Sequence, residues 1–175
     1  MKFIKLLLAI SIFVTPPIVF SKQAPWSGFT FDGQRCYGGG QGVIGPYDYM
    51  LEAHTRPDDL DIVEKHHFSA NVQNLIKGDT TLTPEGDINY TLRAWPNHPK
   101  ALLSIIKYQI NINKKITKTK LSTPPECYLQ RAINFSPKDT SVYALYGYYL
   151  KKANRFNEAE KMYLKALELA PDNIK

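Results

Sequence analysis

Three small groups of residues carry side chains or spacings that could do chemistry. Gly40-Gln41-Gly42-Val43-Ile44-Gly45 has the spelling of a dinucleotide fingerprint, in which backbone amides and a helix N-terminus meet a pyrophosphate. That chemistry needs a strand before the glycines and a helix after them. No strand pattern precedes Gly40 and Pro46 follows Gly45 directly, so the run reads as a structural loop. His54, His66 and His67, with Glu52 and Glu64, are ligand types for a metal. No pair has the i, i+4 histidine spacing of a helical zinc site, and adjacent His66 and His67 point to different sides of a helix, so no metal is expected. Cys127 beside Glu126 has no histidine that the sequence places next to it, and there is no Gly-x-Ser-x-Gly elbow, phosphate loop or zinc motif. Neither catalysis nor a cofactor is expected.

Cys36 and Cys127 are the only two cysteines. In an oxidising compartment such a pair is a disulfide candidate, the other reading being two separate thiols, one in a loop and one buried on a helix. A bridge would tie the N-terminal segment onto the helical part of the chain. The first residues, MKFIKLLLAISIFVTPPIVF, give a short positive start and an apolar run broken by Pro16 and Pro17, well short of the roughly 20 apolar residues of a membrane anchor. They read as a secretory signal peptide over 1–21, with the mature chain starting at Lys22. No cysteine for a lipid anchor lies near the cut and no other run has spanning length, so a periplasmic or secreted protein without a stable membrane anchor is expected. Losing Lys2 and Lys5 takes the 22 basic residues to 20 against 16 acidic ones, and the net charge from +6 to +4. A nucleic-acid binder would show a dense basic stripe interleaved with aromatics, so no nucleic-acid partner is expected. The stretch 113–125 carries Lys114, Lys115, Lys118 and Lys120 without an acid, and reads as a solvated loop, with contact to an anionic membrane surface or glycan as the alternative.

The elements that must position these groups fall into segments. Over 22–59 stand seven of the ten glycines (Gly28, Gly33, Gly38, Gly39, Gly40, Gly42 and Gly45) among Trp26, Phe29, Phe31, Tyr37, Tyr47 and Tyr49. Glycine raises the entropy cost of ordering, so this irregular segment is fixed only if its aromatics pack on the rest of the chain. Over 60–86 two short helices and a linker are expected. Asp58 or Asp59 caps the first, with Leu60, Val63, Glu64 and His67 at helical spacing. Ser69 caps the second, with Val72, Leu75 and Ile76 on one face and Gly78 as the stop, and the polar stretch 79–86 is the linker. From 87 to 175 the chain repeats. Ala94, Ala132 and Ala166 are each followed five residues later by proline (Pro99, Pro137, Pro171) and preceded by a tyrosine three or four positions back (Tyr90, Tyr128, Tyr163). Spacings of 38 and 34 residues between the alanines indicate helical hairpins stacked in a solenoid. A small alanine lets two helices approach, and proline stops one helix while pre-setting the turn into the next.

In the copy starting at Thr140, Tyr143, Tyr146, Gly147, Leu150, Ala159, Tyr163, Ala166 and Pro171 fall on the eight signature positions of the tetratricopeptide repeat (TPR) family, which the chain resembles. Tyr143, Tyr146, Leu150 and Tyr163 depart from the usual residue while keeping a large apolar body. The copy over 102–137 is degenerate: Gln109 replaces a small residue, and four extra residues sit in its turn. Before it only a second helix around 88–95 is recognisable. GPYDY, VEKHHF, DINYTLRAWPNHPKAL and ECY are similar to runs in exported bacterial TPR proteins of undefined role. The resemblance implies an all-α, TPR-like hairpin solenoid whose first helices line a concave groove for an extended peptide or partner helix. On this chain those positions are Lys107, Ile110 and Lys114, then Tyr148, Lys151 and Lys152. Four lysines suit an anionic or C-terminal carboxylate ligand, while Ile110 and Tyr148 favour a peptide with an apolar side chain. A solvated lysine face is the plain alternative. The C-terminal hairpin ends without a polar cap, so a shortened product, a covering partner or a homo-oligomer through that hairpin is expected. The other functional expectations are a structural self-associating module and an envelope glycan or cell-wall binder using the aromatic N-terminal segment.

Overall fold

The computed structural model describes residues 23–40, 44–114 and 121–170, without the side chains of 113 and 114. The signal-peptide stretch 1–21, Gly42, Lys115, Lys118, Lys120, Pro171 and the Lys114 side chain lie outside the described residues. The helices are α1 (Tyr49–Glu52), α2 (Pro57–His67), α3 (Ala70–Gln73), α4 (Pro84–Ala94), α5 (Pro99–Lys114), α6 (Pro125–Phe135), α7 (Thr140–Lys152) and α8 (Phe156–Leu169). The fold is all-α. Among the described residues the one strand-like pairing is an isolated bridge between Phe29 and Arg35.

Proline begins α2, α4, α5 and α6, at the position where a missing N–H costs no helical hydrogen bond and φ is already helical. α1, α3 and α7 begin instead on Asp48, Ser69 and Asp139, whose side chains accept the N–H two residues on. From α4 to α8 each helix packs on its successor. α3 also meets α5, α5 meets α7, and α2 and α3 lie against α4. The main core gathers Ile88 and Leu92 of α4, Leu102, Ile105 and Ile106 of α5, Tyr128 and Leu129 of α6, and Val142 and Tyr149 of α7. Each such side chain contributes about 1.5–3 kcal/mol on burial. A smaller cluster places Val63 of α2 with Ala94 and Trp95, under Tyr47 and Tyr49.

The seam between α7 and α8 is a close approach of two helices. A Cβ at Gly147 would lie 2.8–3.0 Å from atoms of the Tyr163 ring. Leu150 and Ala159 are buried beside this approach, Tyr146 packs on the main core, and Ala166 is half-buried. The buried Tyr143 donates its hydroxyl to the Pro137 carbonyl at 3.1 Å.

The irregular segment 23–40 lies as a strap over α4, α6 and α7. Cys36 is bridged to Cys127 with a Cα separation of 5.3 Å. Closing a loop across 91 residues of chain stabilises by about 4 kcal/mol in the chain-entropy model. Trp26 meets Tyr128 edge to face at 5.2 Å, and Phe31 stacks on Tyr149 at 5.4 Å and carries the Arg155 guanidinium over its ring at 4.3 Å. The Gln130 carboxamide holds Phe29 by both backbone groups, accepting its N–H at 3.2 Å and donating to its carbonyl at 2.8 Å.

Four local expectations are corrected. Arg56 stands at the cap of α2, so Asp58 and Asp59 fall in its first turn, where they favour the positive end of the helix dipole without capping. The helix capped by Ser69 stops at Gln73, before Gly78, because Leu75 turns left-handed at φ +62°. Ile76 is then 70% exposed, so Val72, Leu75 and Ile76 do not share a face. α1 interrupts the stretch expected to be loop, and α4 begins at Pro84, inside the expected linker. Pro99 opens α5 and Pro137 lies in the turn before α7, each between one helix and the next as expected.

Replacing Gly147 by valine drives a side chain into the Tyr163 ring and is expected to lower unfolding stability by about 2 kcal/mol. Urea denaturation measures it, and an unchanged midpoint would contradict the close approach.

Candidate functional site

α3 is too short to project far, and the way it ends decides what it offers. The Leu75 N–H donates to the Val72 carbonyl at 3.0 Å and the Ile76 N–H to the Asn71 carbonyl at 2.9 Å, closing the helix with Leu75 in the left-handed conformation. For a non-glycine residue this conformation costs about 1–2 kcal/mol. The Ser104 hydroxyl of α5 donates to the Gln73 carbonyl at 3.1 Å, fastening this turn to α5.

α5 carries Ser104, Lys107 and Asn111 at the i, i+3, i+7 spacing of one helical face. Between this face, the α3 turn and α7 lies a cleft of about 290 Å³. Gln73 lines it from the end of α3, Asn74 and Leu75 from the turn that follows, Lys107, Ile110 and Asn111 from α5, and Tyr148 from α7; none of these is acidic. The structure therefore brings Lys107, Ile110 and Tyr148 together. Lys152 stands beside them, its Nζ 5.6 Å from the centre of the Tyr148 ring. Lys151 is exposed on the last turn of α7 and does not line the cleft, and Lys114 ends α5. Chemically the cleft offers ammonium and carboxamide donors around an apolar patch.

Buried polar groups hold its walls. The fully buried Asn97 carboxamide donates to the Asp48 and Asp139 carboxylates, each at 2.8 Å, and accepts the Tyr49 N–H at 2.8 Å. His98 caps α5: its Nδ1 accepts the Ala101 N–H at 3.2 Å, which puts the proton on Nε2, and Nε2 donates to Glu64 of α2 at 2.8 Å. That hydrogen bond lowers the Glu64 pKa. Asp87 organises the loop after α3. It accepts the backbone N–H groups of Asp79, Thr80 and Thr81, and it meets His67 Nδ1 at 2.9 Å. Burial alone would raise its pKa, but the hydrogen bonds from Thr80, His67, Thr81 and the Asp79 backbone outweigh burial and hold the carboxyl well below the usual range.

The other sequence candidates lie elsewhere. His67 stacks on Tyr90 at 3.7 Å, His54 and His66 are exposed, and among the described residues no three His, Cys, Asp or Glu side chains form a group that could hold a metal. Gly45 has φ +81° and a Cβ there would meet the Ala94 carbonyl oxygen at 2.3 Å, so it serves a close backbone approach. Trp26, Phe31, Tyr47 and Tyr49 pack inward, leaving Phe29 and Tyr37 as the exposed aromatics of the N-terminal segment. On α8, Phe156, Leu164 and Leu167 are exposed. No helix among the described residues is long and apolar enough to cross a membrane.

Sequence reasoning missed Gln73, Asn74, Leu75 and Asn111. The polar spacing on α5 could have supplied Asn111, whereas nothing local marks the α3 turn.

Comparison with known protein families, curated proteins and solved structures finds no match to this chain.

Because the native pKa of Asp87 lies below its unfolded value of about 3.9, its contribution is complete above that value and is lost as pH falls toward the native one. Asp87→Asn is expected to cost about 2 kcal/mol near pH 7, with the gap to the unsubstituted protein narrowing as pH drops from about 5 to 2. Urea midpoints across that range check it, and a pH-independent gap would contradict it.

Proposed function

We propose that this chain is an exported, non-catalytic helical-repeat protein of the TPR kind that binds an extended, anionic peptide or protein segment in the cleft between α3, α5 and α7. The observation that carries the reading is the meeting of Lys107, Ile110 and Tyr148 around one acid-free cleft, with Lys152 at its edge. Ammonium groups gain most from carboxylates that are partly desolvated, and the apolar patch supplies that desolvation. The repeat reading is supported by packing in which each helix from α4 meets its successor while α3, α5 and α7 meet in alternation. Export is supported by the Cys36–Cys127 bridge together with the signal-like N-terminal sequence.

The double reversal Lys107→Glu with Lys152→Glu is expected to cut capture of partners from a periplasmic extract about tenfold, as lost charge pairing of this size implies. Lys151→Glu, outside the cleft lining, is expected to leave capture within about twofold. Equal capture by all three proteins would overturn the reading.

A further inference from the structure

The turns that end α3 and α7 are built alike and filled differently. After α7 the Asn154 N–H donates to the Lys151 carbonyl at 3.2 Å and the Arg155 N–H to the Leu150 carbonyl at 2.9 Å, the same pairing that closes α3. In each turn the residue after the cap is left-handed, Asn154 at φ +60° and Leu75 at φ +62°. Asparagine tolerates that conformation, whereas leucine is disfavoured there by its Cβ. A turn that needed only to stop the helix would be better served by glycine or asparagine. Leu75 instead keeps a large side chain at the unfavourable position, and that side chain packs on the main core and lines the cleft. Strained backbone held in place by its surroundings concentrates at ligand clamps, and here it coincides with the cleft wall.

We propose that Leu75 is a specificity-determining residue. With Ile110 and Tyr148 it forms an apolar seat for one large side chain of an acidic extended peptide whose flanking carboxylates meet Lys107 and Lys152. This inference rests on the cleft reading above and adds which peptides the cleft prefers. The cleft volume of about 290 Å³ leaves room for one large side chain. The charge around the seat complements the peptide, since the lining contains Lys107 and no carboxylate, and Lys152 stands over the Tyr148 ring. Apolar burial supplies the selectivity and the lysines supply the class.

The test uses the mature, disulfide-bonded chain and the blocked peptides acetyl-Asp-Asp-X-Asp-Asp-amide, with X as Leu, Phe, Ala or Gly, titrated by calorimetry. The unsubstituted protein is expected to bind the Leu and Phe peptides about tenfold more tightly than the Gly peptide, as burial of a large side chain implies. Leu75→Gly and Leu75→Asn both suit the left-handed turn. They are expected to keep cooperative unfolding, while the ratio of Leu or Phe affinity to Gly affinity falls to about threefold or less. A preference that survives in both Leu75 variants would overturn the role of Leu75 and leave the cleft reading standing. The absence of any preference in the unsubstituted protein would overturn it without recourse to a variant. Binding that Lys107→Glu with Lys152→Glu leaves untouched, or no binding of any peptide, would overturn the cleft reading and this inference together.

Discussion

The register of the cleft walls depends on one buried carboxamide. Asn97 lies in the turn before α5, and its side-chain nitrogen donates both to Asp139, the cap of α7, and to Asp48, the cap of α1. The N-terminal ends of α5 and α7 are thereby tied to one point. Lys107 stands eight residues after Pro99 and Tyr148 eight residues after Thr140, the first residues of those helices. At 1.5 Å per residue both lie about 12 Å down their helices. Equal depth from a shared anchor places an ammonium on one wall level with an aromatic ring on the other. Leaving these donors and acceptors unpaired would cost more than their net contribution, so the turn is held by what its absence would expose.

A second polar group, Arg131, does for the strap what Asn97 does for the cleft. It is buried, and it donates from Nε to the Ala24 carbonyl at 2.7 Å and from a terminal nitrogen to the Leu92 carbonyl at 2.6 Å, under the face of Trp26 at 4.8 Å. Burial lowers its pKa to about 10, so it stays charged at neutral pH, and carbonyl dipoles with an aromatic face replace the lost water. The strap is further held by Glu126, which accepts the Phe31 N–H at 3.0 Å and the Tyr149 hydroxyl at 3.1 Å. Tyr149 and Tyr148 are neighbours on α7, about 100° apart around the helix axis. One carries the strap and the other the cleft, and no strap residue lines the cleft.

What could be read from the sequence was what depends on short-range spacing. The resemblance carried by the last hairpin implied six groove positions, of which Lys107, Ile110 and Tyr148 line the cleft, and two cysteines in an export context pointed to the bridge. What could not be read depends on partners far away in the chain. Nothing near Asn97 in the chain marks its role, because its carboxylate partners lie 49 and 42 residues away. Pro84 sits in a polar stretch that reads as linker, yet it opens a helix because Asp87 gathers the backbone of the preceding loop. Leu75 follows Val72 at helical spacing, and the left-handed position itself carries neither glycine nor asparagine.

Amide chemical-shift mapping is the most direct test of whether the walls anchored through Asn97 form a binding site. On titration with acetyl-Asp-Asp-Leu-Asp-Asp-amide, saturable changes are expected at residues 73–75, 107–111 and 148–152, with the strap and α8 unmoved. Changes centred on the strap or on α8, or no saturable change at all, would contradict it.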